Sequence, residues 1–166
     1  MLNTEFGGMN EIFADLYTDT GDKRWLALSW KFEHRAITEP LKRHIDCLGG
    51  THGNTQVPKL LGSLARFACA GDAGDGFAAG FFWDRVVQYH TYATGGHGND
   101  EYFGEPGKLN DRGDGRTAET CNGYNMLKLT RKICALRPDA HYADFHERAL
   151  FNHILASQDP QEGWAW

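Results

Sequence analysis

Glu119 and Cys121 are two residues whose types and spacing could do chemistry together. They lie within residues 116–131, where a glycine-containing loop leads into a predicted helix. In a formed helix, residues two apart point to nearly opposite sides at about 100° per residue, so these two can share a target only where the helix begins. Free N–H groups and the positive end of the helix dipole at that point predict a lowered pKa for Cys121.

The pair of Glu119 and Cys121 has two interpretations. A carboxylate beside a thiolate can bind a soft metal such as zinc, or serve as half of a nucleophile pair. The alternative is a buried cysteine beside a solvated glutamate that caps the helix, and on spacing alone this is the more common arrangement. The pair by itself therefore does not decide between a metal site and an ordinary helix start.

The composition is that of a globular domain with a sizeable core. The chain has 166 residues, of which 41% are hydrophobic and 23% charged, and this balance is typical of folded domains. Its formal net charge is −5 and it contains no block of Lys and Arg, which excludes nucleic acid and anionic membranes as expected partners. Aromatic residues make up 13% of the chain, which suits a packed helical core or a sugar-binding platform.

Neither the termini nor the cysteines indicate secretion. Residues 1–5 lack the basic and apolar pattern of a signal peptide, and no apolar run approaches the length of a membrane span. The spacing of Cys47, Cys69, Cys121 and Cys134 matches neither a disulfide scaffold nor a zinc finger. If Met1 is the true start, we therefore expect an intracellular, cytoplasmic protein.

Helical spacing of apolar residues occurs in three pairs of segments. The pairs are 8–17 with 25–36, 57–69 with 76–89, and 121–136 with 142–156. Each pair is separated by a tight turn that ends in an aspartate, at Asp22, Asp72 and Asp139, and residues 37–51 are predicted to be a connection with at most a short helical turn. Repeated helical hairpins of this kind predict an all-α fold, an array or toroid of paired helices.

Polar residues occupy equivalent places at the starts of the first helices. Aligned on the three aspartates, they are Glu5, then His52, Asn54 and Gln56, then Glu119 and Cys121. If the first helices line the inside of a ring, these side chains share one mouth, which favours a site for an anion, a metal or a polyol. The alternative for Asn54 and Thr55 is helix capping, which needs no ligand.

The loop at residues 92–117 is too long and too rich in glycine to be a simple connector. Aromatic residues such as Tyr92 argue against disorder. Glu101 stands beside two of these aromatic residues and could be partly desolvated, as a general acid requires. His97 could be a ligand, but a solvated loop histidine is the more common case.

Motifs of one known family occur in residues 5–11, 52–59, 91–96 with 101–103, and 118–131, and in the tail 147–160. These stretches resemble the zinc-dependent β-L-arabinofuranosidases of glycoside hydrolase family 127 (GH127). The match extends over nearly the whole chain in the right order, which is more specific than any single motif. The resemblance implies a six-hairpin (α/α)6 barrel, of which residues 1–166 would supply about half as a single partial catalytic domain with an active-site loop at 92–117.

The resemblance also implies a role for several side chains. Glu119 and Cys121 match the glutamate and the first cysteine of a zinc site completed by two adjacent downstream cysteines, one of which is the nucleophile. Glu101 matches the general acid/base, although Asp100 precedes it where the family pattern has glycine, and Glu105 is a nearby rival. The implied substrate-binding residues are His52, Gln56 and Tyr92.

The implied reaction is the retaining hydrolysis of terminal β-L-arabinofuranose, or a related plant sugar, from a plant-derived oligosaccharide or glycoconjugate. A zinc-bound thiolate attacks the anomeric carbon while Glu101 protonates the leaving oxygen, and the same residue then activates water. The sequence contains no adjacent pair of cysteines, so the matched nucleophile and two zinc ligands are expected to lie in a missing downstream part.

Two other functions remain open at this stage. Sugar epimerases and polysaccharide lyases also use toroids of paired helices, without a thiol, and His52, Tyr92 and His97 could serve their chemistry. A zinc-free full-length relative that is insensitive to chelators would favour this alternative. The third possibility is a non-catalytic helical fragment whose exposed half-barrel faces self-associate, which dimerisation or aggregation at micromolar concentration would support.

We expect the 166-residue chain on its own to bind zinc weakly and not to hydrolyse glycosides, because the resemblance leaves its zinc site incomplete. The measurement is release of the chromophore from a chromogenic β-L-arabinofuranoside by the purified chain. Turnover that is abolished by Cys121→Ala would contradict the expectation.

Overall fold

The computed structural model describes residues 7–110 and 113–163, and this part of the chain is helical without a β-strand. The helices are α1 (Met9–Thr20), α2 (Lys23–Lys31), α3 (Arg35–Lys42), α4 (Gly53–Ala70), α5 (Ala73–Arg85), α6 (Thr120–Leu136) and α7 (Ala140–Ala149). A π-helical turn, Val86–His90, continues α5, and a second π-helical turn, Leu150–Ile154, continues α7 before the 3-10 turn Leu155–Ser157. The all-α prediction is confirmed.

Local turn chemistry explains where the helical hairpins break. The second helices α2, α5 and α7 begin after Asp22, Asp72 and Asp139, whose carboxylates accept hydrogen bonds from backbone N–H groups of the first turn at 2.9, 2.9 and 3.2 Å. In the first two hairpins a glycine with positive φ, Gly21 or Gly71, ends the preceding helix. These caps satisfy backbone groups that the helices themselves leave unpaired.

Two element boundaries differ from the sequence-based expectation. The second helix ends at Lys31 rather than near residue 36, and the expected connection contains the eight-residue helix α3. Ile37 and Leu41, four residues apart on α3, are both buried, so packing against the core stabilises a helix that the sequence signal left weak. Helix α4 begins at Gly53, four residues early, because the Gly53 N–H donates to the backbone oxygen of Glu101 at 2.7 Å.

Helix α4 lies at the centre of the described fold and packs against α1, α5 and α6. Its apolar side chains Val57, Leu60 and Leu61 are at most 1% exposed. Trp83 of α5 packs beside them and donates its indole N–H to the Thr130 hydroxyl at 2.7 Å. This packing holds the first half of α4, which begins at Gly53 directly after His52, beside the candidate site.

The structure bears on two expectations about the surroundings of the chain. Among the described residues, no helix combines the length and apolar character that crossing a bilayer requires, and the cytoplasmic location stays a prediction. Apolar side chains are exposed after α7 at Leu150, Phe151 and Leu155, and the first two line a cleft of about 650 Å³ between α6 and α7. Self-association through such faces stays a prediction.

We predict that Gly62→Ala destabilises the fold. A Cβ on Gly62 of α4 would overlap the buried side chain of Asn10 on α1, whose amide donates to the Lys59 backbone oxygen at 2.9 Å. Displacing that amide should lower the free energy of unfolding by about 1–3 kcal/mol, measured by urea denaturation of the 166-residue chain followed by circular dichroism.

The matched control for this prediction is Gly80→Ala in α5. A Cβ on Gly80 meets no other atom within 4 Å, so the substitution should raise the free energy of unfolding by about 0.5–1 kcal/mol through helix propensity. Equal denaturation midpoints for the two variants would contradict the proposed α1–α4 contact.

Candidate active site

A cleft of about 470 Å³ lies where the 98–118 segment meets the start of α6. Side chains that line it include Asp100, Glu101, Arg116, Glu119, Thr120 and His153. The structure thus brings the two glutamates singled out by the sequence, Glu101 and Glu119, to one concave surface.

Glu119 and Cys121 face each other at the start of α6. Glu119 is the N-cap residue, but its side chain forms no capping hydrogen bond. Instead the Cys121 thiol donates a hydrogen bond to the Glu119 carboxylate, and Oε2 of Glu119 is buried and has no hydrogen-bond partner among residues 7–110 and 113–163. The interpretation of Glu119 as a solvated cap is therefore wrong, and a buried carboxylate oxygen is left free for a donor or a cation.

The pKa of Cys121 is raised to about 12, so the prediction of a lowered pKa is wrong for the metal-free chain. Burial is the largest cause, followed by the hydrogen bond to Glu119 and the negative charge of that residue, while the backbone N–H of Asn122 acts in the opposite direction. Burial and a neighbouring carboxylate thus outweigh the helix start. The thiol stays protonated at neutral pH unless a cation balances it.

Glu119 and Cys121 are suitable zinc ligands, but two ligands are too few for a complete zinc site. A carboxylate and a thiol are both common zinc ligands, and protein zinc sites use three or four such ligands. In residues 7–110 and 113–163, no group of three or more His, Cys, Asp or Glu side chains could hold a metal ion. The pair can therefore supply part of a zinc site.

A tight turn from Asn99 to Tyr102 presents Glu101. Both central residues, Asp100 and Glu101, have left-handed backbones with φ of 51° and 70°, and Asn99 and Tyr102 exchange two backbone hydrogen bonds of 2.9 and 3.0 Å. This is the geometry of a type I′ turn, which favours Gly, Asn and Asp. The left-handed φ explains why glycine suits position 100 and why aspartate can replace it.

Backbone hydrogen bonds fix this turn to the start of α4. The Phe103 N–H donates to the Thr51 oxygen and the Gly50 N–H to the Phe103 oxygen, both at 2.9 Å, in addition to the bond from Gly53 to Glu101. The side chains meet as well, since Glu101 Oε2 lies 2.8 Å from His52 Nε2. Glu101 is held beside His52 by these contacts, yet its side chain is 49% exposed, so the expected desolvation is not observed.

Glu105, the rival of Glu101, lies elsewhere. Its side chain is exposed and close to Gly49, where an added Cβ would lie 3.1 Å from Glu105 Oε1. It does not line the cleft that contains Glu101 and Glu119.

None of the three residues predicted to bind substrate, His52, Gln56 and Tyr92, lines the cleft. Gln56 is 2% exposed and lies behind His52, with its amide donating to the His52 backbone oxygen at 3.2 Å. Tyr92 is half-buried, and its backbone N–H donates to the Gly96 oxygen at 2.8 Å. Asn54 does not cap α4 but accepts a hydrogen bond of 2.7 Å from Asn125 of α6.

His97 is fully buried, which corrects the expectation of a solvated loop histidine. Its ring stacks on Phe103 with the ring centres 5.5 Å apart. Burial lowers its pKa to about 3, with smaller contributions from His153 and His90, so the imidazole is neutral. His97 therefore packs against the 101–103 segment through Phe103. Glu5, which the sequence aligned with the site, lies outside the described residues.

Sequence reasoning missed His153. This residue lies in the π-helical turn Leu150–Ile154, lines the cleft, and hydrogen-bonds the backbone of Glu119. Gly96 and Gly123 flank its ring, since a Cβ on either would come within 3.1 Å of ring atoms. In the sequence, Gly96 and Gly123 are the residues that could have indicated this arrangement. A glycine can indicate that a side chain packs closely against the backbone, but it does not identify that side chain.

Comparisons with known proteins identify the family of the chain. A sequence profile of the β-L-arabinofuranosidase GH127 catalytic domain matches residues 1–165. A solved GH127 β-arabinofuranosidase shares 24% identity and a TM-score of 0.72 over 91% of this chain and 25% of its own. A GH127 β-L-arabinofuranosidase from Geobacillus stearothermophilus T6 shares 25% identity and a TM-score of 0.66 over 93% of this chain and 29% of its own. The chain thus spans 25–29% of their lengths, and a comparison with curated sequences returned no match.

We predict that Glu119 suppresses the reactivity of Cys121. With the other three cysteines replaced by serine, Glu119→Gln removes a negative charge beside the thiol and should lower its pKa. Alkylation by iodoacetamide at pH 8 should then accelerate by about tenfold for each unit by which the pKa falls. The measurement is the rate of mass increase of the intact chain, with Glu105→Gln as control. Equal rates for Glu119→Gln and its parent would contradict the contact.

Proposed function

Because the chain belongs to the GH127 family of β-L-arabinofuranosidase catalytic domains, we propose that it forms part of a retaining glycosidase. The proposed substrate is a plant-derived oligosaccharide or glycoconjugate that ends in β-L-arabinofuranose or a related plant sugar. The observation that carries the proposal is the meeting of Glu101 with the Glu119–Cys121 pair, since Glu101 lines the same cleft as Glu119 and its charge acts on the Cys121 thiol.

Glu101 is the proposed general acid/base. As the acid it gives its proton to the leaving glycosidic oxygen, and as the base it accepts a proton from the water that releases the sugar. Its Oε2 is engaged by His52 at 2.8 Å, which leaves Oε1 for the leaving group or the water. The exposure of the carboxylate gives substrate access to it.

Glu119 and Cys121 are the proposed zinc ligands contributed by this chain. Zinc would supply the positive charge that keeps a cysteine deprotonated at neutral pH. The buried Oε2 of Glu119, which has no hydrogen-bond partner in the described part of the chain, supports a cation at this pair. The remaining cysteine ligands and the nucleophile are proposed to come from polypeptide outside this sequence.

The alternative of a metal-free epimerase or lyase has less support. Of the three residues that could serve it, His97 is fully buried and Tyr92 does not line the cleft. His52 does not line the cleft either, although its ring contacts Glu101, which does.

We predict that Glu101→Gln in the complete protein that contains this chain abolishes most hydrolysis of an alkyl β-L-arabinofuranoside. Loss of a general acid should lower kcat/KM by about 10²–10⁴-fold. A dinitrophenyl arabinofuranoside has a leaving group that needs no protonation, so Glu101→Gln should slow its bond-cleavage step much less. The rate of that step is measured by the pre-steady-state burst of dinitrophenol.

The matched control is Glu105→Gln, which removes a carboxylate outside the cleft and should leave both rates within about twofold of the parent. Equal losses for the two variants, or a loss in Glu101→Gln that does not depend on the leaving group, would refute the role of Glu101.

A further inference from the structure

A chain of buried polar side chains runs behind His52. Gln56 and Lys59, three residues apart on α4, are 2% and 1% exposed, and His34 before α3 is 8% exposed. Lys59 Nζ lies 2.9 Å from Gln56 Oε1 and 2.9 Å from His34 Nδ1. Buried lysines are rare and costly, so this position needs a physical reason.

The hydrogen bonds fix the direction of the Gln56 amide. Its oxygen accepts from the Lys59 ammonium, so its NH₂ group must point the other way, where it donates to the His52 backbone oxygen at 3.2 Å and to the Thr55 hydroxyl at 2.9 Å. The His52 backbone oxygen can only accept, so the NH₂ group of Gln56 has to face it, and the Lys59 ammonium holds the amide oxygen on the opposite side. Lys59 therefore anchors the end of Gln56 that points away from His52.

His52 connects Gln56 to the candidate acid/base, Glu101. It is the residue before α4, and its ring contacts Glu101 at 2.8 Å and packs edge-on against Tyr102, with ring centres 5.2 Å apart. Glu101 and Tyr102 are the titratable side chains that these contacts bring against His52 in the described part of the chain, while Lys59 and His34 lie behind it. A shift of the His52 backbone would move the carboxylate that its ring holds.

We propose that Gln56 and Lys59 are positioning residues for Glu101. They hold the His52 peptide at the start of α4, and the His52 ring in turn holds the carboxylate in the orientation required for proton transfer. The proposal rests on the proposed function because it assumes that Glu101 is the acid/base. It gives Gln56 a role different from the direct sugar contact that the sequence predicted.

Simple packing is the competing explanation, because a satisfied polar network can also specify a fold without serving the site. The two explanations differ in one respect. A packing role predicts equal losses for every substrate as the folded fraction falls, whereas a positioning role predicts losses that depend on how much the leaving group needs a proton.

The test uses the complete protein with three substitutions. Gln56→Leu and Lys59→Met remove the polar groups while keeping side-chain volume, and Gln56→Glu keeps the contact with Lys59 but loses the donor to His52. Each should lower kcat/KM for the alkyl arabinofuranoside by about 10- to 100-fold and change the burst rate with the dinitrophenyl substrate by less than about threefold. Gln88→Leu, an exposed glutamine of the π-helical turn Val86–His90, is the control and should change neither.

A second readout uses the 166-residue chain and does not depend on hydrolysis. The His52 Nε2–H proton that contacts Glu101 should exchange with solvent at least about tenfold faster in Gln56→Leu and in Glu101→Gln than in the parent or in Gln88→Leu, measured by nuclear magnetic resonance. Melting temperatures recorded for every variant identify any that fail to fold, and Gln56→Glu then replaces Gln56→Leu.

The outcomes separate the two proposals. A loss that depends on the leaving group, together with faster exchange, supports positioning. Uniform losses, no loss, or unchanged exchange would overturn it. If the parent protein hydrolyses no arabinofuranoside, the proposed function fails, and the exchange measurement alone decides whether Gln56 holds His52 against Glu101.

Discussion

The pairing of residues 50–53 with residues 101–103 is the constraint on which the candidate site depends. Three backbone hydrogen bonds of 2.7–2.9 Å join the two segments, although about fifty residues of sequence separate them. This pairing starts α4 at Gly53, sets the left-handed turn at Glu101 and brings His52 against the carboxylate. The rest of the site follows from it, because Glu119 lines the same cleft as a turn that is hydrogen-bonded to the start of α4.

The start of α6 shows how burial and charge compete with the helix dipole. A helix N-terminus stabilises a thiolate by roughly the strength of half a unit charge. Burial of the sulfur, together with the hydrogen bond to Glu119 and the charge of that residue, outweighs it and raises the pKa of Cys121 to about 12. A bound cation would reverse this effect. Its positive charge would lower the pKa of the Cys121 thiol, and the Glu119 carboxylate would act as a second ligand to it. The pair is thus poorly suited to act alone and well suited to a metal.

The sequence predicted the features that depend on local chemistry. Asp22, Asp72 and Asp139 mark helix starts through a hydrogen bond to the next turn, and the family motif placed Glu101 near the Glu119–Cys121 pair. Features that depend on distant packing were missed: α3 forms because its apolar side chains are buried, and His97, Gln56 and His153 owe their positions to other elements. The neighbouring residues in the sequence do not indicate that these side chains are buried.

The two π-helical turns, Val86–His90 and Leu150–Ile154, have an evolutionary consequence. Each follows the second helix of a hairpin, and each carries a histidine that is at most 8% exposed, His90 or His153. A π turn contains one residue more than an α turn, which rotates the residues after it by about 100°. One inserted codon in an ordinary helix is therefore enough to redirect a surface side chain toward the interior. Gene lineages of such hairpin proteins could acquire or lose an inward-facing histidine in a single event, without altering the rest of the scaffold.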